Sequence, residues 1–125
     1  MISVKNDIII SLGHTFTLKK KKYHVNELIT KFGSRKPTTM DVSDFDGLMD
    51  ENSWFGEDEH VTMKQINEHI ERIKNTDLKY PIFALASGHI LDGWHRLFKT
   101  KVIGETKIDV IIIMYDDIDK MKEVK

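Results

Sequence analysis

The stretch Ile90-Leu-Asp-Gly-Trp-His-Arg-Leu97 decides the reading of this chain. Two apolar residues run into an Asp-Gly pair, and an aromatic, a histidine and an arginine follow before the next Leu. This is the pattern of a strand ending in a glycine turn, with a helix opening near His95. The helix carries Leu97, Phe98, Val102 and Ile103 as apolar positions and stops at Gly104. Upstream, Pro81-Ile-Phe-Ala-Leu85 reads as a strand, turned by Ser87-Gly88 into Ile90-Leu91. Downstream, Lys107 to Met114 has apolar residues on both faces, which predicts a central strand covered on two sides.

Further out, Thr62-Met-Lys-Gln65 is a capping box, and Met63, Ile66, Ile70 and Ile73 recur at helical steps, giving an amphipathic helix to Asn75. Asp117 is positioned to cap a short helix near the end of the sequence. In the first third, Asp7–Leu12 and Thr15–Leu18 read as a hairpin about Gly13-His14, with Lys19–Lys22 as a loop or polar edge. Asn26 is expected to cap a helix over Glu27–Phe32 that ends at Gly33. Gly33 to Gly56 reads as a loop-rich acidic stretch anchored by Phe45, Leu48, Met49, Trp54 and Phe55. The sum is an α+β domain over residues 1–125, with a mixed sheet and two principal helices.

Composition narrows the function. The 125 residues are 40% hydrophobic and 31% charged, a globular balance for one domain. The absence of Cys excludes a disulfide framework, a thiolate-bound zinc and thiol catalysis. The longest apolar stretch, Val110–Tyr115, is far short of the roughly 20 residues that span a bilayer. No secretion signal is read at Met1–Asp7, so a cytoplasmic location is expected. The net charge of −1 is unevenly spread: residues 1–36 carry +6, residues 37–60 carry −8 and residues 61–125 carry +1. A nucleic-acid contact would therefore need a local basic patch, and Lys19, Lys20, Lys21 and Lys22, with Lys31, Arg35 and Lys36 nearby, are the candidates.

The turn at Asp92–Arg96 carries the chemistry. Amides at a helix N-terminus attract anions, and a glycine lets a phosphate approach the main chain. Arg96 adds a planar, permanently charged fork, and His95 can donate to phosphate or move a proton. Asp92 can orient His95, hold magnesium or act as a base. The plain structural alternative is that Asp92 caps the helix beside a Gly93 of positive φ. His89-x-x-Asp92-x-x-His95 has metal-site residue types, but a strand and a turn intervene and no metal site is expected. His69, on the Met63–Asn75 helix, is a polar-edge or core histidine or a support for the turn.

Residues from about 57 to 114 resemble the ParB/sulfiredoxin superfamily. The likeness rests on a helix, Asp77-Leu-Lys-Tyr-Pro-Ile82, the box Leu91-Asp-Gly-Trp-His-Arg-Leu-Phe-Lys99, Gly104 and a hydrophobic strand. The box is similar to the Asp-Gly-His-His-Arg of the free-serine kinases, to the Gly-Glu-Arg-Arg of partition proteins and to the Gly-Gly-Cys-His-Arg of sulfiredoxins. The resemblance implies ATP or CTP, with Gly93, His95 and Arg96 at the phosphates; the chemistry of the turn adds the Trp94 amide to them and Mg2+ to shield their charge. It implies Asp92, His95 and Glu59, with Glu57 as the other position for the base, as the residues of phosphoryl transfer or nucleotide hydrolysis. Trp94 stands where sulfiredoxins have Cys, which removes sulfinic-acid reduction. No second arginine patch and no helix-turn-helix follow, so a centromere clamp is not expected. The competing expectation is a non-catalytic module, such as a phage or mobile-element accessory protein, binding DNA through Lys19–Lys22 or a host protein through the −8 segment.

Overall fold

In the computed structural model, residues 2–5, 8–11, 15–48 and 61–124 are described. In chain order they form β1 (Ile2–Lys5), β2 (Ile8–Ser11), β3 (Thr15–Leu18), β4 (Lys21–His24) and α1 (Val25–Phe32). Next come β5 (Thr38–Asp41), a 3-10 helix (Val42–Leu48), α2 (Met63–Asn75), β6 (Ile82–Leu85) and β7 (Ile90–Asp92). α3 (Trp94–Val102), β8 (Lys107–Ile113) and α4 (Tyr115–Asp119) complete the set.

The organising element is a mixed four-stranded sheet in the order β5-β8-β6-β7. β8 runs parallel to β6 and antiparallel to β5, and β6 runs antiparallel to β7. The central position expected for Lys107–Met114 is therefore observed. Side chains alternate across a strand, so β8 feeds two cores. Ile111 and Ile113 join Phe16, Leu28, Phe32, Phe83 and Leu85 on the face covered by the β3–β4 hairpin, α1 and α4. Val110 joins Phe45, Ile82, Ala84, Ile90 and Leu97 on the face covered by α3 and the 3-10 helix. Phe45, Ile82, Leu97, Val110 and Ile113 are completely enclosed, so the sheet is the middle of three layers.

The N-terminal third departs from the sequence reading. β3 pairs with β4 rather than with the preceding strand, and β2 pairs with β1. The turn of the β3–β4 hairpin is Lys19-Lys20, both at positive φ (51° and 66°), the backbone of a type I′ turn, which matches the right-handed twist of the flanking strands. Lys19 and Lys20 are the turn and Lys21 and Lys22 are exposed strand residues, so the run is part loop and part polar strand, and the expected Gly13-His14 turn lies outside the described residues. Asn26 does not cap α1: His24 occupies that position without a side-chain bond, and the Asn26 Oδ1 is buried with no hydrogen-bond partner among the described residues. Gly33 ends the helix in a right-handed conformation, with its N–H donating to the Ile29 carbonyl at 2.8 Å.

The acidic stretch contains a strand that the sequence reading lacks. β5 is an edge strand with Thr38, Thr39 and Asp41 exposed, so it has no apolar alternation to betray it. Phe45 is an anchor as expected; the side chain of Leu48, together with Met49, Trp54 and Phe55, lies outside the described residues. Arg35, counted among the basic candidates, is committed elsewhere: its two terminal nitrogens donate to the Asp117 oxygens at 2.8 Å each. Asp117 in turn accepts the Met114 N–H at 2.9 Å; Met114, not Asp117, is the N-cap of α4, and Asp117 reaches back to it from the third helical position. Among the described residues no helix is long and apolar enough to cross a membrane.

Candidate functional site

The site is assembled at the junction of β7 and α3. β7 ends at Asp92, and α3 opens at Trp94, one residue earlier than expected. Gly93 links them in a left-handed conformation (φ 116°, ψ 18°). A Cβ there would lie 2.5 Å from Ile82 Cγ2 and 2.7 Å from Ile82 Cβ, so glycine is required twice, by φ and by contact. Ile82 is completely enclosed and has nowhere to move. The junction is thereby pressed onto the middle of the sheet.

Gly93, not Asp92, is the N-cap, and no side chain caps α3. The first-turn amides of a helix have no intrahelical acceptor, and here the Gly93 carbonyl takes the next one, Leu97 N–H, at 3.0 Å. Asp92 instead accepts from Arg96 Nη2 at 2.7 Å across one helical turn. Both side chains are largely enclosed, 13% and 16% exposed, which holds the guanidinium in place beside the turn.

His69 comes to the same place from α2. Its Nδ1 lies 2.8 Å from His95 Nε2, so one ring donates and the other accepts, and the rings lie nearly parallel at 5.1 Å. Burial pushes His69 below the usual imidazole range, the charge of Arg72 adds to this, and Glu68 opposes it. α2 itself is anchored lightly. The Thr62/Gln65 capping box forms as expected, yet the helix has no buried residue, and Met63 and Ile70 are 79% and 47% exposed. At its other end Lys99 Nζ of α3 donates to the carbonyls of Lys74 and Thr76 at 2.9 and 2.8 Å.

Two cavities meet at the turn, and Asp92, Gly93 and His95 line both. One, of about 350 Å3, adds Arg96 and the apolar surfaces of Ile29, Tyr80, Pro81 and Phe83. The other, of about 550 Å3, adds Trp94, His69, Arg72 and His89. Both fall in the size range of small-molecule sites. Trp94 also stands against Phe98, with ring centroids 5.6 Å apart, and packs on the inner core.

Of the residues singled out in the sequence, Asp92, Gly93, Trp94, His95 and Arg96 are brought together, and His69 joins them as a support for His95. Glu59 and Glu57 lie outside the described residues. His89, Asp92 and His95 do not form a metal-binding group, and no such group occurs among the described residues. Lys19–Lys22 lie apart, exposed on the β3–β4 hairpin, with Lys19 Nζ 4.2 Å above the Tyr115 ring. The sequence reading missed Tyr80 and Arg72 as cavity residues. Tyr80-Pro81 immediately precedes a buried strand, which is the signal that would have put Tyr80 at a strand's open end.

A comparison with family models, with curated proteins and with solved structures gave no match. The fold and site stand on their own geometry: an α+β domain whose mixed sheet carries a left-handed glycine turn between two cavities.

Proposed function

We propose that the Asp92–Arg96 turn binds the polyphosphate end of a nucleoside triphosphate. The observation that carries this reading is the N-terminus of α3, which no side chain caps and whose opening residues Gly93 and His95 line both cavities. Arg96, braced by Asp92, supplies the fixed positive charge. The cavity on the Arg96 side is bounded by Tyr80, Pro81, Phe83 and Ile29, flat apolar surfaces suited to a nucleobase. The same order of elements, helix, strand, turn, strand, box, helix and strand, supports a ParB/sulfiredoxin-like fold for residues from about 57 to 114.

A magnesium ion held through phosphates needs only one or two protein carboxylates, and Asp92, with one oxygen given to Arg96, fits that demand. Bound there, the ion would shield phosphate charge. The chain's own part is positional: Gly93 and the Trp94 and His95 amides seat the phosphates, Arg96 neutralises them, and His69 fixes the ring of His95 for donation or proton transfer. This chemistry serves hydrolysis of ATP or CTP, or phosphoryl transfer to a small molecule, with Glu59 as the carboxylate that would complete it.

The test is thermal unfolding with ATP, CTP and GTP, each with and without magnesium, for the wild type and Arg96→Lys. A nucleotide at about a hundred times its dissociation constant stabilises by roughly 2.7 kcal/mol, a shift of several degrees. The expected result is a shift in the wild type that collapses in Arg96→Lys, because an ammonium lacks the planar fork. No shift with any nucleotide refutes the reading. The second reading, a nucleic-acid contact through Lys19–Lys22, is favoured by their exposure on one hairpin. It requires DNA affinity that falls steeply with salt and is lost in Lys20→Glu/Lys22→Glu.

A further inference from the structure

The larger cavity is not needed to seat a triphosphate on Arg96, which lines only the smaller one. Its wall is rich in donors. His69 and His95 form a hydrogen-bonded pair, and His89 and the fixed charge of Arg72 stand around the same space. Thr15 and Thr17 of β3 complete the lining. Among the described residues, Asp92 is the carboxylate in this lining, and it is already paired with Arg96. An acidic or apolar ligand head thus meets very different surroundings: the first finds a cation and imidazole N–H groups, the second finds polar groups that it would strip of water.

We propose that this cavity, between β3, α2 and the β7–α3 turn, is a second ligand site that takes the oxyanion of a small molecule, a carboxylate or a phosphate. Arg72 provides the charge, His89 and the His69–His95 pair provide directional donors, and Trp94 provides an apolar wall. Because Asp92, Gly93 and His95 line both cavities, a ligand in this one lies beside whatever occupies the turn. The proposal goes beyond the nucleotide reading and does not require it.

The experiment follows the ring carbon–hydrogen NMR signals of His69, His89 and His95 while inorganic phosphate, and separately acetate, is added at constant ionic strength. Saturable shifts at His69 and His89 are expected, with the better of the two anions naming the ligand class. Arg72→Gln should weaken that affinity about tenfold or more, as loss of a charged hydrogen-bond partner does. Arg72 is exposed, so the fold is not at stake, and His89→Asn provides an independent variant. Shifts that never saturate, or an affinity unchanged in both variants, overturn the proposal. Anion binding that survives Arg72→Gln but disappears in Arg96→Lys places the anion at the α3 N-terminus instead; it supports the nucleotide reading and overturns this one. Phosphate binding lost in Arg72→Gln with no thermal shift from any nucleotide keeps this site and removes the other.

Discussion

Replacing Gly93 by alanine tests whether the site is welded to the sheet. Two costs act at this position. A left-handed backbone costs an L-residue about 1–2 kcal/mol, and Gly93 sits at φ 116°. The new methyl would also lie 2.5 Å from Ile82 Cγ2 and 2.7 Å from Ile82 Cβ, far inside contact distance, against a fully enclosed side chain. Overpacking of that kind costs about 1–3 kcal/mol. Together they predict a loss of about 2–5 kcal/mol, a large part of the stability of a small domain. Gly88 and Gly104 separate the two costs, since they have φ of 98° and 85° with nothing within 4 Å of an added methyl. Gly88→Ala and Gly104→Ala should lose only the backbone share, and any gain from a stiffer unfolded chain is common to all three. Urea unfolding followed by circular dichroism measures the set, with m-values checked for constancy. A Gly93→Ala loss within about 0.5 kcal/mol of the Gly88→Ala loss would refute the claim that Ile82 fixes the turn.

Two further outcomes follow from side chains away from the turn. The Arg35 hydrogen bonds hold Asp117 down to about 2, below its ordinary 3.8, so its share of stability is complete at neutral pH and is lost as pH falls from about 4 through 2. With Arg35 40% exposed, that share is about 1–2 kcal/mol. Asp117→Asn should lower the stability measured by urea unfolding at pH 7 by that amount and flatten the acid limb; an unchanged limb would show the pair to be inert. Lys20→Gly relieves a positive φ in the β3–β4 turn and should raise stability by about 0.5–1 kcal/mol, read as a higher melting temperature. A lower one would mean that the lysine side chain contributes more than the turn strain removes.

Where the physics is local, the sequence reveals it. The Thr62/Gln65 box closes within four residues, and the β7–α3 junction is marked by a glycine that no other residue could replace. β8 shows its central place because both of its faces are apolar. What depends on distant partners was not legible. β5 is held by pairing with β8 about 70 residues away, and its side chains other than the half-buried Met40 are polar and exposed. The pairing of β3 with β4 turns on lysines, which carry no turn signature, so the glycine at 13 was the stronger lure. The Met63–Ile70 stripe told that α2 is amphipathic but not what covers it. At the site, Asp92-Gly-Trp-His-Arg96 was legible as one run, whereas Arg72 and Tyr80 come to it through the packing of α2 and the entry into β6.

The strand order also has a temporal meaning. β8, the middle of the sheet, follows β5, β6 and β7 in the chain, and its pairing with β5 spans about 70 residues. Hairpins such as β3–β4 and β6–β7 can close from near neighbours, but the sheet has no spine until β8 arrives. During synthesis, β6 therefore waits with one edge unpaired and Ile82, Phe83, Ala84 and Leu85 uncovered. Chains truncated between residues 92 and 107 should consequently be the ones most prone to aggregate, although every element of the candidate turn up to Asp92 has by then been made.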